Sequence, residues 1–180
     1  YMVSPKGIPI TQQQVMTAYL KVSKGGKASG IDNQSWEDFD KKKKDNLYVI
    51  WNRLSSGSYH PRAVREVEIP KKDGRTRKLG IPTLQDRIAQ EVLRAYMEAS
   101  AEERFSNNSY GYRPLRSAHQ ALMAVQRNCY KYSWVIDLDI KNFFDRIDHE
   151  NMLKAVEQIY KEKWVVMYIK RWLEAPVLKA

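Results

Sequence analysis

Apolar residues recur every three or four positions along much of this chain, which is the spacing of amphipathic helices. Cap residues mark several expected starts, because Ser, Thr and Asp side chains accept hydrogen bonds from the free N–H groups of a first helical turn. The pattern predicts six helices. The first three are residues 11–22 with Thr11 as N-cap, a helix that ends near Gly57 and contains Leu47, Ile50, Trp51 and Leu54, and residues 83–101 with Thr83 as N-cap. The other three are a helix in which Ala118, Ala121, Leu122 and Val125 share a face, a helix capped by Asp148, and residues 163–174.

A change of period predicts a β-hairpin. Residues 64–69 combine three β-branched residues with three charged ones, which suggests a strand; residues 72–74 are the turn signal Lys-Asp-Gly, and residues 75–81 suggest a return strand. The chain carries 31 Lys and Arg against 21 Asp and Glu, a net charge of +10, and this segment is rich in cations. A basic hairpin can bind a polyanion, since each neutralised phosphate releases counterions. A solvated hairpin without a partner is the alternative.

A third strand is predicted over residues 134–140, an apolar run interrupted by Asp137 and Asp139. Carboxylates buried in a strand are costly unless a cation or hydrogen bonds compensate their charge. A metal ion between an aspartate and a triphosphate would compensate it. A strand with an exposed polar edge is the alternative that this run leaves open.

Four segments carry motifs that support one another. They are Gly30-Ile-Asp32 followed by Trp36, residues 69–90, residues 109–122 and residues 132–149. In this order and at this spacing they resemble the fingers and early palm of group II intron reverse transcriptases, the intron-encoded maturases. The resemblance covers about residues 20–178.

The resemblance implies an α+β fold, in which reverse-transcriptase fingers built from helices and the basic β-hairpin are joined to an incomplete palm. Residues 1–85 would form the N-terminal extension and fingers, residues 86–148 the first part of the palm with the aspartate strand, and residues 149–180 a further helical segment. The implied function is that of an RNA-directed DNA polymerase, with template-directed nucleotidyl transfer by two metal ions and a role in intron RNA binding.

The resemblance also implies roles for individual residues. Asp139, followed by Ile-Lys and two aromatic residues, would be the catalytic Mg²⁺ ligand, with a weaker contribution from the backbone carbonyl of Ile140. Asp137 is a weaker candidate, and Phe144 would be the steric gate against the 2′-hydroxyl of an incoming nucleotide. The nucleotide-binding residues would be Lys71, Arg77, Arg65, Phe144, Asn142 and Phe143. The nucleic-acid-binding residues would be Arg62, Lys72, Arg75, Arg113 and Arg116.

Two motifs of the family do not occur in these 180 residues. The sequence contains no Tyr-x-Asp-Asp, which supplies the other metal-binding carboxylates, and no Pro-Gln-Gly, which supports template and nucleotide. We therefore expect an N-terminal part of the polymerase that is inactive alone. Two other hypotheses stay open: a non-catalytic RNA-binding module, and a fragment that self-associates, for example as a homodimer.

The resemblance implies that the full protein binds intron RNA or an RNA template, a DNA primer and deoxynucleotides. Composition bounds the location. No apolar run approaches the roughly 18 to 20 residues of a membrane span, and the first residues lack the apolar core of a signal peptide. The single cysteine, Cys129, excludes an internal disulfide and a cysteine-based zinc site. These features predict a cytoplasmic protein without a membrane partner.

Overall fold

The computed structural model describes residues 7–70, 74 and 76–179, except the side chain of residue 145. Within them it has the mixed α+β composition that the sequence predicts. The helices are α1 (Gln12–Val22), α2 (Trp36–Lys41), α3 (Lys43–Ser56), α4 (Leu84–Glu102), α5 (Ala118–Lys131), α6 (Phe143–Arg146), α7 (His149–Ile159) and α8 (Lys163–Leu173). The strands are β1 (Val64–Pro70), β2 (Thr76–Ile81) and β3 (Val177–Lys179). The longest described helix, α4, has 19 residues, and none of the described helices combines the length and the apolar character needed to cross a bilayer.

Local hydrogen bonds explain where the predicted helices begin and end. Thr11 and Gln14 form a capping box: the Gln14 amide donates to Thr11 Oγ1 at 3.2 Å, and the Thr11 amide donates to Gln14 Oε1 at 2.8 Å. Ser117 and Gln120 repeat this arrangement at the start of α5. Gly57 ends α3 with a φ of 78°, a left-handed conformation that glycine adopts without steric cost. The predictions for α1 and α3 are confirmed.

The predicted hairpin is present, and a third strand joins it. β1 and β2 are antiparallel, with Arg65 paired to Ile81 and Pro70 to Thr76. Of the predicted turn, only Gly74 lies among the described residues, and its φ of 78° suits a tight turn. β3, which the sequence pattern does not predict, pairs in parallel with the other side of β1. The strand order β2-β1-β3 therefore makes β1 the central strand.

The chain divides into two compact units. The first contains the residues up to 96 and those from 149 onward, and the second contains residues 97–148. Among the described residues, every buried apolar side chain lies in the first unit, to which α1, α2, α3, α4 and α8 all contribute. Tyr19, Trp36 and Phe39 form one aromatic cluster of this core, with ring centroids 5.9 Å apart. The sequence-based division at residues 85 and 148 stays a prediction.

The segment 134–140 is not the strand that the sequence predicts. It lies outside helices and strands, and its apolar side chains are exposed, Trp134 by 90% and Leu138 by 88%. A strand needs a neighbour that supplies backbone N–H and C=O groups, and no strand among the described residues pairs with this segment. The prediction is therefore wrong here, and Asp137 and Asp139 are both exposed.

α5 is present but does not pack as predicted. The face shared by Ala118, Ala121, Leu122 and Val125 is apolar, yet α5 contains no buried residue. A helix buries an apolar face only where a second element covers it, and no described element covers this face enough to bury it. The second unit thus has secondary structure without a core among its described residues.

A buried carboxylate joins three parts of the first unit. Asp86, in the first turn of α4, is 2% exposed and accepts hydrogen bonds from the hydroxyls of Tyr59 and Thr83, each at 2.7 Å, and from the Arg62 amide at 3.2 Å. Thr83 Oγ1 in turn accepts a bond from the Asp86 amide, which confirms Thr83 as the cap of α4. Burial and the neighbouring carboxylate raise the pKa of Tyr59 far above its usual range, so the phenol keeps its proton.

α8 closes the end of α3, where backbone carbonyls have no helical partner. Tyr168 is buried, and its hydroxyl donates to the carbonyl of Leu54 at 2.7 Å. Arg171 donates to the carbonyls of Gly57 and Tyr59 at 2.8 and 2.7 Å. These contacts join parts of the chain that are 112 to 114 positions apart.

Gly30 lies where two backbone segments meet. A Cβ at this position would come within 2.6 Å of Thr83 Cα and 2.7 Å of Thr83 N, so a larger residue cannot fit unless the backbone moves. The loop before Gly30 is held by Arg87 of α4, whose guanidinium donates to the carbonyl of Gly26 at 3.0 Å and to that of Ala28. The loop is therefore fixed beside the start of α4.

Replacement of Asp86 by Ala should lower the free energy of unfolding by about 3 kcal/mol or more, because buried hydroxyl and amide donors lose their acceptor. Asp38→Ala is the matched control. Asp38 follows its own cap, Ser35, at the same spacing, but it is exposed, so its loss should cost much less. Urea unfolding followed by tryptophan fluorescence measures both variants, and equal losses would contradict the role of Asp86.

Gly30→Ala should destabilise the first unit by about 1–3 kcal/mol, because the added methyl group overlaps the backbone of Thr83. Gly26→Ala in the same loop is the control, since a Cβ there meets nothing within 4 Å. Thermal unfolding followed by circular dichroism should show a lower midpoint for Gly30→Ala alone. A midpoint for Gly30→Ala that equals the wild-type value would show that the close approach is absent.

Candidate nucleic-acid interface and catalytic aspartate

The hairpin presents two arginines on one face. Because side chains alternate along a strand, Arg65 and Arg77 share a face: Arg77 pairs with Ile69, four residues after Arg65. Four residues at about 3.3 Å each place them about 13 Å apart along the sheet. Val67 and Leu79, which pair between them, make the middle of this face apolar. The hairpin face thus carries a cation at each end of an apolar strip.

The base of the hairpin concentrates positive charge. Arg65 Nε is buried, and no described residue accepts a hydrogen bond from it. Burial, and then the nearby positive charge of Arg65, lower the pKa of Arg87. Asp32 opposes this effect and also pairs with Arg62 at 3.3 Å. Arg62 is paired with Asp32 and Arg87 with backbone carbonyls, so Arg65 is the arginine of this group whose buried Nε has no described acceptor.

The predicted hairpin residues differ in what the structure says of them. Lys71, Lys72 and Arg75 lie outside the described residues, so their predicted contacts with nucleotide and nucleic acid stay predictions. Arg77 is exposed on β2. The side chain of Arg62 is 52% exposed despite its pairing with Asp32, so it is accessible to a ligand.

The predicted metal ligand, Asp139, lies in an exposed segment of the second unit. Ile140 and Asp137 are exposed in the same segment. Among the residues that the structure describes, no group of three or more His, Cys, Asp or Glu side chains is placed to hold a metal ion. Mg²⁺ prefers oxygen ligands and often takes only one or two carboxylates together with phosphates. The chemistry of Asp139 therefore fits one ligand of such an ion.

Two aromatic rings follow the aspartate on the short helix α6. Asn142 precedes them with a left-handed φ of 54°, and its carbonyl accepts a hydrogen bond from the Arg146 amide at 3.1 Å. The rings of Phe143 and Phe144 contact edge to face, with centroids 5.5 Å apart. Phe144 is 84% exposed and Phe143 only 45%. The predicted steric gate is thus the more accessible ring, and the nucleotide contacts of both rings stay predictions.

Arg113 orders the loop between α4 and α5. Its side chain is 6% exposed, and its Nε and Nη2 donate to the carboxylate of Glu102. Its Nη1 donates to the carbonyls of Ser106 and Ser109 at 2.6 and 2.9 Å. All three nitrogen atoms therefore have acceptors within the protein. We assign Arg113 to the structure of this loop and do not include it in the nucleic-acid interface.

Arg116 is held more loosely than Arg113. Its Nη1 donates to the carbonyl of Asn107 at 3.3 Å, and its guanidinium lies 5.6 Å from the centroid of the Tyr110 ring. The residue is partly exposed. The guanidinium of Arg116 is therefore accessible to a phosphate, and the predicted contact stays a prediction.

The structure groups the predicted site residues into two sets, one in each unit. The hairpin set also contains contacts that the sequence pattern missed, namely the pairing of Asp32 with Arg62 and the bonds from Arg87 to the preceding loop. The Gly30-Ile-Asp32 motif was the sequence signal for Asp32, but it lies far along the chain from the hairpin, so its pairing with Arg62 was not predicted. The predicted site residues in the second unit are Arg113, Arg116, Asp139, Ile140, Asn142, Phe143 and Phe144.

A match to a protein family covers the parts of the chain that carry these features. Residues 69–180 match the family described as reverse transcriptase (RNA-dependent DNA polymerase). The matched range begins on β1 and includes β2, the Arg113 loop and the aspartate segment. The chain therefore belongs to the reverse transcriptase family.

Similar proteins place the chain with the reverse transcriptases of group II introns. It is 34% identical over 161 residues to the group II intron-encoded protein LtrA of Lactococcus lactis subsp. cremoris, which covers 89% of this chain and 26% of that protein. It is 35% identical over 157 residues to protein YkfC of Escherichia coli (strain K12), with 83% and 41% covered. Nuclear intron maturase 1, mitochondrial, of Arabidopsis thaliana is 30% identical over 93 residues, with 52% and 13% covered. The predicted resemblance is confirmed, and the chain spans less than half the length of these relatives.

Proposed function

We propose that the chain forms the fingers and the first part of the palm of a group II intron RNA-directed DNA polymerase. The observation that carries the proposal is the family match over residues 69–180, which includes the end of β1, all of β2 and the segment from Asp139 to Phe144. Cations for a triphosphate and a carboxylate for a metal ion are the two features that nucleotidyl transfer requires. The complete protein would supply the remaining palm carboxylates.

The hairpin cations would bind the triphosphate of an incoming deoxynucleotide. Phosphoryl transfer requires positive groups that position the triphosphate and stabilise the charge that develops on it. Arg65, whose Nε lacks a described acceptor, and Arg77 offer such groups on one face, and Lys71 is proposed with them from the sequence. The residues proposed to contact the nucleic-acid backbone are Arg62, Lys72, Arg75 and Arg116.

The aspartate segment would bind the metal ion and select the sugar. Asp139 would be one carboxylate ligand of Mg²⁺, with a weaker contact from the carbonyl of Ile140. Bound Mg²⁺ would neutralise phosphate charge and activate the attacking hydroxyl group. Phe144 would exclude a 2′-hydroxyl, and the edge-to-face contact with Phe143 would support its ring. Asn142 would set the direction of both rings, since its left-handed backbone begins α6.

RNA binding without catalysis is the second candidate function. The cationic hairpin face favours it, because phosphate binding needs no carboxylate. In this case the partner is intron RNA or a template, and a DNA primer and deoxynucleotides bind only in the complete protein. We also propose that the 180-residue chain is inactive alone, because it contains no Tyr-x-Asp-Asp. Its exposed apolar segment 134–140 favours self-association as a homodimer.

The 180-residue chain should bind single-stranded RNA with an affinity that falls linearly with salt on logarithmic axes. Substitution of Lys72 and Arg75 by Ala should reduce the slope by about 1.4, two of the proposed backbone contacts at about 0.7 each. Fluorescence anisotropy with a labelled RNA across a KCl series measures the slope. The control, Lys42→Ala with Lys44→Ala, removes the same charge from the exposed junction of α2 and α3. An equal reduction in this control would place the binding outside the hairpin.

In a full-length protein, Asp139→Asn should reduce primer extension by roughly 1,000-fold or more, because the substitution removes the charge that Mg²⁺ requires. RNA affinity should stay unchanged, since the side chain keeps its size. Asp137→Asn is the matched control in the same segment and should have a much smaller effect. Single-nucleotide incorporation with Mg²⁺ provides the measurement. Loss of activity in Asp137→Asn with activity retained in Asp139→Asn would shift the proposed site by two residues.

A further inference from the structure

The loop between α4 and α5 holds two bulky residues in an unusual backbone conformation. Tyr112 and Leu115 have φ angles of 57° and 58°, in the left-handed region that such residues rarely adopt. Both side chains are almost completely exposed, so neither gains packing in return. Backbone strain of this kind persists only where the surrounding structure imposes it, and it concentrates at functional sites.

Arg113 anchors the backbone between these two residues. It lies between the two strained residues and is buried by its bonds to Glu102 and to the carbonyls of Ser106 and Ser109. The backbone of the loop is therefore held in place next to the exposed Tyr112. Because this backbone is anchored, mainly the side-chain torsions of Tyr112 remain to be ordered when a ligand binds against its ring.

The loop chemistry indicates the kind of ligand. Residues 105–117 contain three aromatic residues and two arginines but no Asp or Glu. Arg116, beside the ring of Tyr110, is the partly exposed cation of this loop. An aromatic ring offered together with a cation suits unpaired nucleic acid, whose bases stack on the ring while the phosphates pair with the cation.

We propose that Tyr112 and Arg116, in the loop of residues 105–117, form a stacking platform for single-stranded RNA, in which an unpaired base stacks on Tyr112 and Arg116 pairs with an adjacent phosphate. The platform deepens the RNA-binding function proposed above and rests on it. Duplex RNA does not use the platform, because its bases are already stacked on one another. The platform therefore favours unpaired over paired RNA.

The test compares the affinity of the 180-residue chain for a labelled single-stranded RNA and for a duplex of the same length. Tyr112→Ala should weaken single-strand binding by about 5- to 100-fold and leave duplex binding within about twofold. Tyr112→Phe should bind as the wild type does, since the ring is kept. Leu115→Ala is the matched control: it removes an equally exposed side chain from the same strained backbone and should change neither affinity.

A second measurement reports the contact directly. RNA that carries 4-thiouridine should crosslink to Tyr112 on irradiation, as mapped by mass spectrometry. Wild-type affinity of Tyr112→Ala for single strands would overturn the platform and leave the RNA-binding function intact. Equal losses for single strands and duplex would also overturn it, because stacking cannot cause both. Failure of the wild-type chain to bind any RNA would overturn the RNA-binding function itself and the platform with it.

Discussion

The carboxylate of Asp86 is withdrawn from water, so donors of the protein must compensate its charge. Tyr59, Thr83 and the Arg62 amide supply them. These donors come from the residues after α3, the cap of α4 and the approach to β1, so the shared acceptor links the three segments. Because β1 begins two residues after Arg62, the hydrogen bond from the Arg62 amide to Asp86 fixes the start of the hairpin.

Elements whose causes lie within a few residues could be predicted from the sequence. The cap of α1 involves Thr11 and Gln14, and the hairpin follows from a run of β-branched and charged residues before one tight turn. β3 could not be predicted, because three residues carry no period and pair with a strand far earlier in the chain. The bonds from Tyr168 and Arg171 to the end of α3 were hidden for the same reason, since no local pattern records a partner 114 positions away.

The candidate site divides in the same way. Motif resemblance could select Asp139 and the paired phenylalanines, but a β-rich composition could not ensure a strand over 134–140, since a strand exists only with a partner. Arg113 and Arg116 belong to one motif, and the sequence predicts a nucleic-acid contact for both. Only the positions of nearby carbonyl groups show that the first is saturated with acceptors and the second is accessible.

The first unit is assembled from two separate stretches of sequence, and the residues of the second unit come between these stretches along the chain. A ribosome adds about 5–20 residues per second, so Tyr168 is made roughly 6 to 23 s after the Leu54 carbonyl that it binds. During this interval the core surface that Val165 and Tyr168 will cover is exposed to water. The nascent chain therefore carries a temporary apolar surface, and such a surface favours aggregation until the residues of α8 have been made.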